Sequence, residues 1–495
     1  MNGANLSDLR LLVPEQILVA AALALLLAAR RIQKAAWVAV PTYVGVLTAL
    51  AAGCAAIASP WLWPDLSKTG FGGMIALDGY SQFFKVLIAA ALALAALMAV
   101  RHTGRGPQSR WIATGDPGAE GVRPAEYHAL LLLASTGMML AASATDLMTL
   151  YLGLELVTLC SYILVGITVE RPTSNEAAIK YFLLGSFASA LLLYGISLAY
   201  GVTGVTNFDA IASALSENGL ANSKILLAAI GLMAAGLAFK IAAVPFHAWA
   251  PDAYQGASSP VAAFLAAASK AAGVAALGRV CLVALPAQAR VLSIVLAALA
   301  ALSVIVGSII ALSQTDMKRL LAYSSIAHAG YALLGLISGT PDGASATMTY
   351  AFLYVFMTLG AFGVVIALGE RGESLDAYQG LAAQRPGTAA LMLLFLLSLT
   401  GIPPTAGFAA KFVVILSAIR AGYVALAVLA VACSVISAFV YLRVAVHMYM
   451  KEPLAPEPPP RSPLAISAAL AIAALVTLFG GIVPGSLTVW AVAPR

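Results

Sequence analysis

Five titratable side chains stand inside stretches that are otherwise apolar: Glu155 in LYLGLELVTLCSYILVG, Lys240 in GLAFKIAAVPFHAW, Lys270 in AAFLAAASKAAGVAA, His328 in LLAYSSIAHAGYALLGL and Lys411 in AGFAAKFVVIL. A charge at the centre of a bilayer costs about 2.5–3.5 kcal/mol on insertion scales, so such residues line polar interiors and mark ion or proton paths. Protons suit this set. A desolvated lysine holds its proton less tightly, a neighbouring carboxylate strengthens that hold, and histidine exchanges near neutral pH. The structural alternative is a buried ion pair between Glu155 and one lysine. One carboxylate cannot neutralise three lysines, so that pairing does not account for the set.

Prolines sit close to two of the lysines. Pro245 follows Lys240 by five residues, and Pro403 and Pro404 precede Lys411 by eight and seven. Proline removes a backbone donor, which at membrane depth is tolerated only where protein or water satisfies the freed groups. Interrupted helices at matched places in two halves point to a transport site at a repeat interface. Glu155 and Lys240 are 85 residues apart and His328 and Lys411 are 83 apart. The spacing predicts two five-helix units of opposite orientation, each with a titratable residue in its second helix and a lysine in its broken fourth.

The elements that must hold these residues are membrane helices. The 495 residues are 61% hydrophobic and 10% charged, with a mean hydropathy of +0.94; a soluble domain carries about a quarter charged residues. Hydropathy predicts an all-α polytopic protein with about fourteen spans, near 12–29, 36–58, 74–100, 127–142, 145–166, 177–200, 224–247, 258–284, 291–312, 319–338, 345–368, 387–419, 423–449 and 464–491. With odd-numbered loops cytoplasmic, fourteen basic residues fall on the cytoplasmic side and six on the other. That asymmetry predicts both termini on the periplasmic side and a retained first helix. Lys85, Lys180, Arg279 and Arg443 lie near predicted helix ends and read as anchoring or packing residues that snorkel.

Four divisions follow: 1–126, three helices and a cytoplasmic loop; 127–284, the first five-helix unit; 291–450, the second; and 451–495, a proline-rich linker with a last helix. The net charge of +6 fits loop charges that fix orientation, and no nucleic-acid partner is expected. Cys54, Cys160, Cys281 and Cys433 are far apart without a CxxC, and no glycine-rich nucleotide loop is present. No metal or bound cofactor is therefore expected on this chain.

Three runs carry a family resemblance: FKIAAVPFHAWAPDAYQGASSPVAAFLAAASKAAG (239–273), DMKRLLAYSSIAHAGYALLG (316–335) and SLTGIPPTAGFAAKF (398–412). They strongly resemble the subunit N family of bacterial NADH:quinone oxidoreductase (respiratory complex I), antiporter-like proton-pumping subunits. The likeness extends over essentially the whole chain. It implies two inverted five-helix repeats with broken helices 7 and 12. It matches the family's essential glutamate to Glu155, its lysines to Lys240, Lys270 and Lys411, and its histidine to His328. Lys180 matches a lysine of less defined role, and His247 remains a possible accessory. Lysine at 411, where the sister subunit M has glutamate, and the lack of subunit L's lateral helix both favour N.

The resemblance further implies an inner-membrane complex. Neighbouring antiporter-like and other membrane subunits would be its partners, with FMN, iron–sulfur clusters and quinone held by partner subunits. Two other functions compete. A subunit of a multi-subunit sodium/proton antiporter would not copurify with flavin and iron–sulfur subunits. A non-pumping scaffold would tolerate neutralisation of Glu155 or Lys240.

Overall fold

The computed structural model describes residues 6–32, 40–62, 69–100, 124–217, 220, 223–454 and 462–482. The helices used below are α1 (Val13–Ile32), α2 (Val40–Leu62), α3 (Gly79–Met98), α4 (Pro124–Ser143), α5 (Leu147–Val165), α6 (Pro172–Thr203) and α7 (Phe208–Glu217). They continue with α8 (Lys224–Lys240), α9 (Trp249–Gly256) and α10 (Ser259–Ala284). The remainder are α11 (Ala289–Ala311), α12 (Met317–Leu336), α13 (Pro341–Leu368), α14 (Pro386–Thr400), α15 (Ala406–Arg420), α16 (Val424–Met450) and α17 (Leu464–Ile482).

The helices start where the chain offers caps. Asp78 accepts from the Ser81 amide in a reciprocal capping box, Asp146 accepts from two amides of the first turn of α5, and Asp316 accepts from the Arg319 amide. Pro172, Pro341 and Pro386 occupy first-turn positions where no backbone donor is needed. A two-residue hairpin, β1 (Thr69–Gly70) with β2 (Ile75–Ala76), pairs antiparallel and bridges to Ala144. Its Gly73 carbonyl accepts from Asn207 at 2.7 Å.

Eleven helices among the described residues are long and apolar enough to cross a membrane by themselves. By length and composition alone, the described residues therefore do not confirm the expected count of about fourteen. Of the other three expected spans, two are the interrupted helices α8–α9 and α14–α15. The third is α12, whose serines, lysine and histidine lower its hydropathy. Residues 101–123 of the expected cytoplasmic loop and most of the proline-rich linker lie outside the described residues, as do residues 483–491 of the last expected span.

Burial sorts the helices into an inner and an outer set. α10 is almost entirely buried and α13 nearly so, and α12 keeps almost every side chain inside. Around them, α6, α11 and α16 turn leucine, phenylalanine and isoleucine outward, as a lipid-facing or subunit-facing surface does. Lys270 and His328 therefore stand on the innermost helices.

Two basic residues expected to snorkel do not. Lys85 is wholly buried and pairs with Glu15 at 2.8 Å. Arg279 is wholly buried and bidentate to Asp78, at 2.8 and 2.6 Å, with its Nε donating to the Ala142 carbonyl at 2.9 Å. Each cation met a carboxylate from a distant part of the chain, which hydropathy along one helix cannot reveal. Lys180 behaves as expected, about half exposed.

Candidate functional site

The seventh expected span breaks immediately after Lys240. α8 ends at that residue, so its ammonium sits at the negative end of the helix dipole. Ala242 takes a left-handed φ of +56°, uncommon for a side chain with a Cβ. Neighbours satisfy the freed backbone: the Val244 amide donates to Ser303 Oγ of α11 at 2.9 Å, and Trp249 Nε1 donates to the Phe239 carbonyl at 3.0 Å. Pro245 lies within the break, and His247 makes its hydrogen bond there too, to the Pro245 carbonyl at 3.3 Å.

Lys240 Nζ lies 3.4 Å from Glu155 Oε1, 2.5 Å from Thr158 Oγ1 and 3.4 Å from Ser189 Oγ. Ser189 also donates to the Glu155 carboxylate. Glu155 and Lys240, 85 residues apart in the chain, thus meet as one hydroxyl-bridged pair. The carboxylate is about one-fifth exposed on the flank of α5, while the ammonium is buried.

Lys270 follows a π-helical segment, Leu265–Ser269, that adds a residue to the turn and re-aims the helix beyond it. Its Nζ donates to the Ser325 carbonyl at 2.7 Å and to the Ser325 hydroxyl. The backbones approach closely here, because a Cβ on Gly273 would lie 2.7 Å from Ile241 Cγ2 and 3.5 Å from Lys240 Cβ. The glycine one turn after Lys270 thereby lets α10 pack on the end of α8. Between Lys270 and His328 lies a cavity of about 20 Å³. His328 Nδ1 is 2.6 Å from the Tyr350 hydroxyl.

The twelfth expected span breaks between Thr400 and Ala406. Gly401 caps α14 at φ +91°, and a Cβ there would stand 2.9 Å from Lys411 Cδ. Pro403 and Pro404 form the crossing to α15, where the Gly407 amide donates to Ser398 Oγ at 3.0 Å. Lys411 reaches back across the break to the Thr400 carbonyl at 2.7 Å and to Ser434 Oγ at 2.8 Å. Its ammonium stands 4.5 Å from the centre of the Tyr331 ring.

Of the five sequence-predicted residues, Lys240, Lys270, His328 and Lys411 are buried, and Glu155 meets Lys240 from a partly exposed position. Lys180 stands apart. It pairs with Glu176 at 2.6 Å and Asp252 at 3.2 Å on a cavity of about 420 Å³ that Arg171, Asp316, Arg319 and Glu373 also line. Burial raises the Asp252 carboxyl, but hydrogen bonds and charge from Arg319 and Lys180 outweigh it and hold that group below the ordinary carboxylate range. Tyr181, Trp249 and Phe239 stack next to Lys180 and Lys240, with the Tyr181 and Trp249 ring centres 4.4 Å apart.

The partners Thr158, Ser189, Ser325, Tyr350 and Ser434 were not read from the sequence. Hydroxyl residues are common in membrane helices, and only the i,i+3 spacing of Thr158 to Glu155 and of Ser325 to His328 carried a signal. Among the described residues no cluster of three or more His, Cys, Asp or Glu could hold a metal ion.

Residues 144–437 match the family described as NADH:quinone oxidoreductase/Mrp antiporter, TM. Over 447 residues the chain is 46% identical to NADH-quinone oxidoreductase subunit N of Desulfovibrio desulfuricans, covering 85% of each. Over 482 residues it is 42% identical to NADH-quinone oxidoreductase subunit N 2 of Rhizobium meliloti, covering 95% of this chain and 94% of that one. Among solved structures it resembles a chain of respiratory complex I from Thermus thermophilus with bound aureothin. The TM-score is 0.78 at 35% identity, over 98% of this chain and 100% of that one. A chain of the Mrp complex from Dietzia shares the fold, with a TM-score of 0.82 at 23% identity, covering 97% and 96%.

Proposed function

The chain belongs to the NADH:quinone oxidoreductase/Mrp antiporter family of membrane subunits and is a proton-pumping membrane subunit of NADH:quinone oxidoreductase; from that premise we propose that Glu155, Lys240, Lys270, His328 and Lys411 carry its protons. One observation supports this reading above the others. Lys270 and Lys411 are buried with hydroxyl and carbonyl oxygens as their hydrogen-bond partners, and no carboxylate pairs with either among the described residues. Such a lysine can release its proton without leaving a carboxylate stranded, which an ion-paired lysine cannot. Glu155 tunes Lys240 through their shared contact with Ser189. Movement of the carboxylate would change how tightly Lys240 keeps its proton.

The chain divides into units 127–284 and 291–450 of opposite orientation, preceded by 1–126 and followed by 451–495. Both termini face the periplasm. Electron transfer takes place in partner subunits, which hold FMN, iron–sulfur clusters and quinone, and this chain carries no redox centre of its own. Lys180 belongs to the charged cavity on the cytoplasmic face and acts outside the buried series. His247 lines the break beside Lys240 as an accessory.

The test uses inverted membrane vesicles carrying Lys240→Met, with assembly checked on the same preparation. NADH-driven quinone reduction and lumen acidification both fall if Lys240 belongs to a coupled path. Wild-type levels of both would make this lysine structural and end the reading at its central residue.

A further inference from the structure

A serine inside a helix readily donates its hydroxyl to the carbonyl four residues before it. Ser161, Ser303 and Ser437 of this chain do so, at 2.6, 2.6 and 3.1 Å. Ser434 of α16 turns elsewhere. Among the described residues the carbonyl four before it, that of Ala430, accepts from the Tyr331 hydroxyl of α12 at 2.9 Å. Ser434 Oγ donates instead to the Thr400 carbonyl, the last of α14, at 2.9 Å. One turn of α16 thus holds both the ring beside Lys411 and the open end of the half-helix.

Lys411 completes the arrangement. Its Nζ donates to the same Thr400 carbonyl at 2.7 Å and to Ser434 Oγ at 2.8 Å, so ammonium, hydroxyl and carbonyl close a triangle of three hydrogen bonds. The direction of each bond is fixed. A carbonyl can only accept and an ammonium can only donate, so the serine hydrogen goes to Thr400 and a serine lone pair receives Lys411. The carbonyl, at the negative end of α14, suits the cation but offers nothing to the lone pair of a neutral amine. A hydroxyl serves both forms, because rotation about its C–O bond turns it from acceptor to donor.

Resting on the reading of Lys411 as a proton carrier, we propose that Ser434 is a positioning residue: its hydroxyl holds Lys411 Nζ against the broken end of α14 in both charge states, accepting from the ammonium and turning to donate to the amine. The proton leaves Lys411 for the next carrier, and Ser434 itself gains and loses none. Only its hydrogen reorients, while a remaining N–H of Lys411 keeps the Thr400 carbonyl satisfied. Facing Lys411 from α12 are Tyr331, with its ring centre 4.5 Å away, and behind it His328, 5.8 Å from Tyr331 between ring centres. α14 and α17 carry no titratable side chain. Tyr350 of α13 bonds to His328, and neither it nor Cys433 of α16 makes a hydrogen bond to Lys411 among the described residues.

The experiment measures acidification per NADH oxidised across pH in inverted vesicles holding assembled complex with Ser434→Ala, Ser434→Thr or Ser437→Ala. Ser437 lies on the same helix, meets Ser308 at 3.0 Å and bonds to its own backbone, with no hydrogen bond to Lys411 among the described residues. Alanine at 434 takes a charge-assisted bond from the ammonium and a weaker, neutral one from the amine. Loading of Lys411 then fails at lower pH. The alkaline limb of the Ser434→Ala profile should move toward acid by about 0.7 unit, the difference between the two bonds. Ser434→Thr, which keeps the hydroxyl, and Ser437→Ala should keep the wild-type profile. An unshifted Ser434→Ala limb overturns the proposal, as does an equal shift in Ser434→Thr or in Ser437→Ala.

If Ser434→Ala does not assemble, Ser434→Cys serves instead. A thiol is a weak donor and a weak acceptor, so the limb must move the same way; a limb that stays put overturns the proposal. The two readings fail separately. Lys411→Met that pumps at the wild-type level ends Lys411's part in the proton series, whereas loss of pumping in Lys411→Met with an unshifted Ser434→Ala ends the positioning role alone.

Discussion

Replacing Asp78 by Asn tests whether the N-terminal segment is stapled to the rest of the bundle by a buried ion pair. Arg279 is fully buried, gives two hydrogen bonds to Asp78 and one to Ala142, and lies 5.0 Å from the centre of the Tyr80 ring. Removing one partner of such a pair costs about 3–5 kcal/mol, because a guanidinium is left buried without its counter-charge. An unfolding entropy of about 2.1 cal/mol/K per residue, the globular-protein scale, gives this chain about 1 kcal/mol per degree. Asp78→Asn should therefore lower the melting midpoint by about 3–5 °C, read as the temperature at which half of the subunit has left the heated, solubilised complex.

Burial raises the Asp78 carboxyl, but the charge and hydrogen bonds of Arg279 outweigh it and hold it below its ordinary 3.8. A depressed carboxylate contributes stability that is fully present above its unfolded value and is lost only as pH falls through the folded one. The deficit in Asp78→Asn should thus be the same at pH 6 and pH 8. Replacing both partners, Asp78→Leu with Arg279→Met, should recover most of the loss, since an apolar pair of similar volume leaves no charge to desolvate. A midpoint within about one degree of wild type in Asp78→Asn would refute the staple.

Three further outcomes follow. Thr158→Val removes the hydroxyl 2.5 Å from Lys240 Nζ; a buried charged donor losing one partner costs about 1–3 kcal/mol, so NADH-driven acidification should drop about 5- to 150-fold with assembly intact. Gly401→Ala meets both the left-handed φ of +91° and Lys411 Cδ; a strain of about 1–3 kcal/mol at the break should lower pumping before it lowers the subunit's abundance on native gels. Thr173→Cys, an exposed position on the wall of the charged cavity, should react with a membrane-impermeant thiol reagent in inverted vesicles and stay unmodified in right-side-out ones, and the reverse pattern would turn the proposed orientation over.

What the chain disclosed before folding was one-dimensional. Apolar runs marked the helices, prolines beside Lys240 and Lys411 marked both breaks, and the titratable residues standing in apolar runs include Lys240, Lys270, His328 and Lys411, all buried in the structure. Partners drawn from elsewhere were not legible. Glu15 and Lys85 lie 70 residues apart and Asp78 and Arg279 lie 201 apart, so nothing in the local pattern distinguishes either cation from one that snorkels. The hydroxyls of Thr158, Ser189, Ser325, Tyr350 and Ser434 were silent for another reason. A serine or threonine costs little in a membrane helix when it can bond to its own backbone, so its presence does not announce a role.

The two kinds of buried cation differ in what stands opposite them. Lys85 and Arg279 each face a carboxylate within 2.8 Å. The Lys85–Glu15 pair ties α3 to α1 and holds helices together. Lys270 and Lys411 face only neutral oxygens, from Ser325, Thr400 and Ser434. These oxygens lower the cost of the charged form without a fixed counter-charge that would demand it. Lys240 stands between the two cases, with a carboxylate at 3.4 Å, longer than in either structural pair, and two hydroxyls alongside. A small movement of Glu155 would carry Lys240 from the paired condition to the unpaired one. Under the proposed function, this makes Lys240 the member of the series whose proton can be held or released by its surroundings, whereas Lys270 and Lys411 pass on what they receive.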